Sequence, residues 1–221
     1  MKKQILYVTA FDENGMLVKA NDARKGGKYF CPICNIELIL RKSGKVGKGS
    51  KRPHFAHHHL IENCAPESAL HFSFKKLLLE RIKECIDTKM PMNMAWECDY
   101  CHSRHEGNLL KKAFDVKEEY NMELCRPDIA LFDEKGNIFV IIEIVVTHKP
   151  EDSVKKYYKE NNIILIQIEL DSENDLEKID EKLKSPSVVD FCFNPKCENC
   201  GKYKMDLFNN PVGCLTNLPV F

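Results

Sequence analysis

The sequence lacks an excess of either charge, since 33 lysines and arginines balance 33 aspartates and glutamates over 221 residues. Composition therefore gives no general electrostatic reason to expect nucleic acid or a membrane surface as a partner. No apolar run reaches the roughly 18 to 20 residues that a membrane helix needs. Met1-Lys2-Lys3 leads into strand-like alternation and not into the apolar core of a signal peptide. We therefore expect a soluble, cytoplasmic protein without membrane contact.

Cysteine, by contrast, is abundant, with 11 residues. In a cytoplasmic protein this favours metal ligation over disulfides. Two intervening residues let one tight turn offer two thiolates to adjacent corners of a zinc tetrahedron, and three cysteine pairs have that spacing. The pattern predicts structural zinc at about two sites, because a closed set of four ligands leaves no open position for a substrate. The three pairs are Cys31/Cys34, Cys98/Cys101 and Cys197/Cys200.

The first pair is followed by the histidine-rich stretch "HFAHHH" and by Cys64. The pair, one histidine and Cys64 together satisfy tetrahedral coordination. We favour His57 as the histidine and keep His54 as the alternative.

The second and third pairs lie at the two ends of the central part of the chain. We expect them to close on each other as a four-thiolate site. Cys192 and Cys214 are the substitute ligands in this prediction.

Segment 41–52, "RKSGKVGKGSKR", has six basic residues, three glycines and no acid. Glycine makes such a segment flexible, and lysine and arginine neutralise phosphates. We therefore expect this loop to contact nucleic acid, and the alternative is a loop that only adds solubility. The expected contact residues are Lys45, Lys48, Lys51 and Arg52.

Hydrophobic periodicity predicts strands in the first part of the chain, a helix from Pro66, and then three strands, a helix and a strand. A further helix is predicted over "SENDLEKIDEKLK", with Ser172 as its cap. This order indicates an α/β (α+β) fold with a mixed sheet and small zinc-binding β modules. The predicted domains are a hairpin and zinc-finger module (1–65), a core with an inserted zinc knuckle at 98–101 (66–185), and a C-terminal knuckle and tail (186–221).

Two acids stand in the predicted hairpin "RPDIALFDEKGNIFVIIEIVVTH", residues 126–148. A turn centred on Lys135-Gly136 would place Asp128 directly opposite Glu143, with β-carbons about 4.5 to 5.5 Å apart. Two carboxylates at that distance repel each other unless a cation lies between them. Mg²⁺ is commonly held by one or two carboxylates. The alternatives are edge carboxylates that reach water, or a different register.

These motifs resemble the competence protein CoiA-like nucleases of the PD-(D/E)xK, or restriction-endonuclease-like, superfamily. The similarity lies in "CPIC…HFAH…C…PESALH" and in "RPDI" followed by "IEI", and it runs from about Ile5 to Leu170. It implies an αβββαβ core and a metal-dependent nuclease, with DNA as the favoured nucleic acid. The resemblance also implies that Asp128 and Glu143 bind Mg²⁺ or Mn²⁺, and that Glu67 is the helical acid that helps to arrange the site.

The chain departs from the superfamily motif at Val145, where a lysine usually follows the second acid by two residues. Residues 143–148, "EIVVTH", instead resemble a branch with a Thr-His pair and a lysine in the next helix. His148 and either Lys155 or Lys156 match that branch, and we favour Lys156 for stabilising negative charge at the phosphate. Val145 also favours the alternative of an inactive nucleic-acid-binding zinc protein on a nuclease fold. An interaction adaptor built on zinc knuckles is the third reading.

Overall fold

The computed structural model describes residues 5–42, 52–59, 61–62, 64–98, 101–190 and 199–201. The chain forms two compact units, Met1–Lys76 with Leu170–Glu177, and Leu77–Glu169 with Lys178–Phe221. In the described part of the chain, no helix is both long and apolar enough to cross a membrane. Several residues with predicted roles lie outside the described residues: Lys45, Lys48, Lys51, Cys192, Cys197 and Cys214.

The first unit contains a five-stranded sheet in the order β2-β1-β3-β4-β5. The predicted first hairpin is present, and the Gly15 N–H donates to the Asp12 carbonyl at its turn, at 3.0 Å. Tyr29, Leu38 and Phe55 are buried in the core of this sheet. Its strands are β1 (Thr9–Phe11), β2 (Leu17–Lys19), β3 (Tyr29–Phe30), β4 (Glu37–Arg41) and β5 (His54–His57).

Helix α1 spans Pro66–Asp87, so it begins in the first unit and ends in the second. Proline at the first position suits a helix start because its missing N–H would have no intrahelical partner there. The predicted apolar stripe is largely buried, with Leu70, Phe74, Leu78 and Ile82 each at most 3% exposed.

The second unit begins with a separate hairpin of β6 (Asn93–Glu97) and β7 (Arg104–Asn108), which carries the second cysteine pair at its turn. Its main sheet has the order β12-β11-β10-β9-β8. Strands β10 and β11 are parallel and are connected by α2 (Asp152–Glu160), whereas the other neighbours are antiparallel. The predicted α/β class with a mixed sheet is therefore confirmed. The strands are β8 (Asp115–Glu118), β9 (Ile129–Phe132), β10 (Ile138–Val145), β11 (Ile164–Glu169) and β12 (Val188–Asp190).

The β9–β10 hairpin sets the position of the two acids. Ile142 pairs with Ile129 and Ile141 with Ala130, which is the register expected from a turn at Lys135-Gly136. Next to the turn, however, Ile138 pairs with Phe132, which corresponds to a turn centred on Lys135. A one-residue shift between Ile138 and Val140 then brings the later pairs into the expected register. The glycine has a φ of 79°, the left-handed conformation that glycine adopts without a steric penalty.

The single helix predicted over 172–184 is wrong, because the structure has a 3₁₀ helix at Glu173–Glu177 and then a short α3 at Ile179–Lys184. Asp175 is buried, and its carboxylate accepts the N–H groups of Asp171 and Ser172, at 2.8 and 3.1 Å. Such local side-chain bonds compete with a regular helix.

Candidate functional site

The first cysteine pair lies in the turn between β3 and β4. The Cys31 N–H donates to the Ile36 carbonyl and the Asn35 N–H donates to the Cys31 carbonyl, both at 2.9 Å. The Ile33 N–H lies 3.4 Å from the Cys31 sulfur. Asn35 has a φ of 57°, a conformation that asparagine tolerates better than most side chains. These local bonds fold the chain into a tight knuckle with both thiols in one cluster.

Two more residues complete this first cluster, His57 at the end of β5 and Cys64 just before α1. The four ligand atoms lie within 4.8 Å of one another. The sulfurs of Cys31 and Cys64 are 3.4 Å apart, and Nε2 of His57 is 3.4 Å from the Cys64 sulfur. Zinc–sulfur bonds of about 2.3 Å put neighbouring thiolates about 3.8 Å apart in a tetrahedron. The cluster could therefore hold zinc.

The two histidines that the sequence left as alternatives have different surroundings. Nε2 of His57 lies among the thiols, whereas Nδ1 of His54 is 2.8 Å from the Arg52 carbonyl oxygen. Burial lowers the pKa of His57, which favours the neutral imidazole that metals require. Among the described residues, its buried Nδ1 has no hydrogen-bond partner.

Tyr7 packs against the first cluster. Its ring meets the His57 ring edge-on at 5.2 Å, and its hydroxyl donates to the Cys64 carbonyl at 2.6 Å and lies 3.6 Å from the Cys64 sulfur. Burial also raises the pKa of Cys31 to about 12. Without metal this thiol is protonated at neutral pH, so metal binding there releases a proton.

The second cluster brings together Cys98, Cys101 and Cys200, whose ligand atoms also lie within 4.8 Å of one another. The sulfurs of Cys98 and Cys200 are 3.7 Å apart, close to the spacing in a zinc tetrahedron. Cys197, the predicted fourth thiolate, lies outside the described residues. Gly201 follows the third pair with a φ of 68°. This cluster could also hold zinc.

The acid pair lies in the second unit at the β9–β10 hairpin. Asp128 stands directly before β9, and one step beyond the last observed pair of the hairpin register it lies opposite Glu143 in β10. Oδ2 of Asp128 accepts the N–H of Ile144 at 2.9 Å. Both acids are half-buried. The aspartate side chain is thereby held against the strand that carries the glutamate.

Glu143 is contacted by Tyr158 of α2, a residue that sequence reasoning did not single out. The Tyr158 hydroxyl donates to Oε1 of Glu143 at 2.8 Å, and the tyrosine is 1% exposed. Burial raises the pKa of Tyr158, so the hydroxyl keeps its proton at neutral pH. Cys125 is a second hydrogen-bond partner of the hydroxyl. The sequence indicated this residue only as an apolar position on α2, four residues after Val154.

The two candidate lysines lie on different faces of α2. Lys155 is one turn before Tyr158, its side chain is 17% exposed, and its Nζ is 2.9 Å from Oδ1 of Asp152. The Lys156 side chain is 70% exposed, and its Nζ is 3.7 Å from Oε1 of Glu160. The helix thus turns Lys155, and not Lys156, toward the side that carries Tyr158.

The remaining predicted residues lie in α1, at and after the end of β10, and at one end of the basic loop. Glu67 is half-buried in the first turn of α1, in the first unit. His148 is exposed after β10, and Val145 is buried at the end of that strand. The Arg52 guanidinium contacts Asn174 at 3.0 Å and the Glu173 carboxylate at 3.3 Å. Arg52, at one end of the basic loop, is therefore paired with an acid.

The fold and its clusters define an α/β protein with two Cys/His groups that could each hold zinc. Residues 17–67 match the family model described as "Competence protein CoiA, N-terminal domain". The matched stretch contains the whole first cluster and ends at Glu67. No curated protein and no solved structure matches the chain.

Proposed function

We propose that the chain is a metal-dependent nuclease that hydrolyses phosphodiester bonds of nucleic acid, with DNA as the favoured substrate. The observation that supports the proposal is the β9–β10 register, which would bring Asp128, directly before β9, opposite Glu143 when continued one step beyond the pair of Ile129 and Ile142. Each acid has one oxygen held by a hydrogen bond, from Ile144 and from Tyr158. Two carboxylates held in this way suit Mg²⁺ or Mn²⁺.

A bound divalent ion would supply an activated water and positive charge at the scissile phosphate. The chain's own contribution is to hold Asp128 and Glu143 as ligands and to place a cation near the phosphate. Of the two candidate lysines, the position of Lys155 on the Tyr158 face of α2 supports it over Lys156. Glu67 remains the proposed helical acid on the resemblance alone.

The two cysteine clusters are proposed as structural zinc sites. The four protein ligands of the first cluster fill a tetrahedron and leave no position for a substrate. The second cluster reaches the same number when Cys197 is its fourth ligand. Zinc in such sites contributes its binding free energy to folding.

The test is cleavage of plasmid DNA, single-stranded DNA and RNA with Mg²⁺ or Mn²⁺, by the unmodified protein and by Glu143→Gln. We expect cleavage by the unmodified protein and none by the variant, whose neutral amide is a poor ligand. Glu134→Gln, an exposed change in the turn of the same hairpin, is the matched control and should cleave normally. Equal activity of both variants would contradict the proposed role of Glu143.

An inactive nucleic-acid-binding protein is the second candidate, and the buried Val145 favours it because valine cannot contact a phosphate or polarise water. This candidate predicts salt-dependent binding without cleavage. Replacing Lys45, Lys48 and Lys51 together by alanine should then weaken binding and reduce its salt dependence. An unchanged salt slope would remove the loop from the binding surface.

A further inference from the structure

The Tyr158 hydroxyl connects α2 to Glu143 of β10 through a hydrogen bond of 2.8 Å. Tyrosine hydroxyls that are buried usually find a polar partner, and here the partner is the carboxylate that the proposed function needs. The Tyr158 ring is packed in the core of the second unit with Phe132, Ile141 and Leu165. The position of the hydroxyl is therefore fixed, because the ring cannot move without opening that core.

We propose that Tyr158 is a positioning residue, whose hydroxyl orients the Glu143 carboxylate to receive a divalent metal ion. This inference rests on the proposed function of Glu143 as a metal ligand. Carboxylate ligands are themselves commonly hydrogen-bonded, and removal of such a partner typically costs about 10- to 100-fold in metal affinity or activity. Asp128 has a backbone partner of this kind in the Ile144 N–H, whereas Glu143 has a side-chain partner in Tyr158, which a substitution can remove.

The test compares Tyr158→Phe with Tyr157→Phe. Phenylalanine keeps the buried ring and removes only the hydroxyl, and the control makes the same change at the adjoining, half-buried position of α2. Mn²⁺ binding is measured by titration calorimetry, and cleavage is measured across a range of Mn²⁺ concentrations. Both are recorded at a temperature where each variant is folded by circular dichroism.

For Tyr158→Phe we expect the Mn²⁺ dissociation constant, and the Mn²⁺ concentration for half-maximal cleavage, to rise about 10- to 100-fold. Saturating Mn²⁺ should restore most of the cleavage rate, and the KM for DNA should stay unchanged. Tyr157→Phe should match the unmodified protein. A merely structural tyrosine would lower the melting temperature without moving the Mn²⁺ dependence.

Two failures can be told apart. If the unmodified protein neither binds Mn²⁺ nor cleaves, the proposed function fails, and the role of Tyr158 fails with it. If it binds Mn²⁺ and Glu143→Gln abolishes binding while Tyr158→Phe changes nothing, only the positioning role is overturned. A double-mutant cycle of Tyr158→Phe with Glu143→Ala in metal-free buffer adds a second readout. Non-additive unfolding free energies support the contact, and additive ones contradict it.

Discussion

The first two cysteine knuckles share three backbone features although they lie in different units. In each, the residue after the second cysteine has a positive φ, 57° at Asn35 and 55° at His102. In each, its N–H donates to the carbonyl of the first cysteine, at 2.9 and 3.0 Å. The N–H of the first cysteine in turn donates to the carbonyl five residues later, at 2.9 Å in both. A spacing of two residues between cysteines therefore determines one local structure in both places.

The knuckles differ in the origin of their remaining ligands. The first cluster closes with His57 and Cys64, which follow Cys31 within 33 residues. The second closes with Cys200, which is 102 residues from Cys98. The two knuckles thus share their local geometry. Which remaining ligands complete each cluster depends on the path of the chain through its unit. The following predictions test how far the likeness extends.

The largest expected effect is the loss of a remote ligand. Cys64→Ser and Cys200→Ser should each lower the zinc content by one ion per chain and unfold the unit concerned. Structural zinc contributes about 10–16 kcal/mol in zinc-finger peptides, whereas a native protein is stable by only about 5–15 kcal/mol. Zinc is measured by mass spectrometry and folding by thermal denaturation.

Cys85→Ala is the control for the two ligand variants, because Cys85 is buried in α1 and belongs to neither cluster. It should retain full zinc. A Cys200→Ser protein with wild-type zinc content and melting temperature would show that the second cluster is not a metal site.

A smaller effect is expected from the left-handed positions. Asn35→Val and His102→Val should each cost about 1–2 kcal/mol of stability, because a β-branched side chain is disfavoured at positive φ. The corresponding glycine variants should be neutral or slightly stabilising. Urea denaturation of the four variants gives the comparison. A large cost at one position and none at the other would mean that the two turns are not equivalent.

We expect the thiols of the two clusters to differ in reactivity because the cysteines differ in exposure. Cys101 is exposed, whereas Cys31 is buried and Cys34 and Cys64 are half-buried. We expect an alkylating reagent to modify the second cluster severalfold faster and to release its zinc first, since thiol reactivity follows access. Mass spectrometry of peptides over time measures the order. Faster alkylation of the first cluster, or earlier release of its zinc, would contradict this order.

The smallest effects concern the hydroxyl beside each cluster. Tyr7→Phe removes a hydroxyl 3.6 Å from the Cys64 sulfur, and Ser103→Ala removes one 2.9 Å from the Cys101 sulfur. We expect about 0.5–1.5 kcal/mol for Tyr7, the usual net value of a hydrogen bond, and less for Ser103 beside an exposed thiol. Denaturation with zinc present measures both. A larger loss at Ser103 would reverse the ranking.

The fold was predictable where one stretch of sequence decides the structure. Gly136 marks the turn of the β9–β10 hairpin, whereas the register of the inner pairs also depends on the one-residue shift between Ile138 and Val140. The helix predicted over 172–184 failed because Glu173 and Asp175 are buried and bonded to backbone N–H groups. Those bonds depend on the tertiary surroundings of the segment.

The candidate site was predictable in part for the same reason. The cysteine knuckles follow from their spacing. The predicted register of Asp128 and Glu143 agrees with the inner pairs of the hairpin, but these pairs reach it through a shift between Ile138 and Val140 that was not predicted. Tyr158 was not predictable, since its hydroxyl meets Glu143 only after α2 has packed on the sheet. The orientations of Lys155 and Lys156 likewise depend on which face of α2 is buried.

The sequence by itself determined the elements whose causes are local: the turns with left-handed residues, the knuckles and the start of α1 at Pro66. The tertiary structure decided which remote residues meet, namely His57 with the first knuckle, Cys200 with the second, and Tyr158 with Glu143. The physical reason is range. Backbone conformation depends on neighbours a few residues away, whereas contacts between distant residues depend on how whole strands and helices pack.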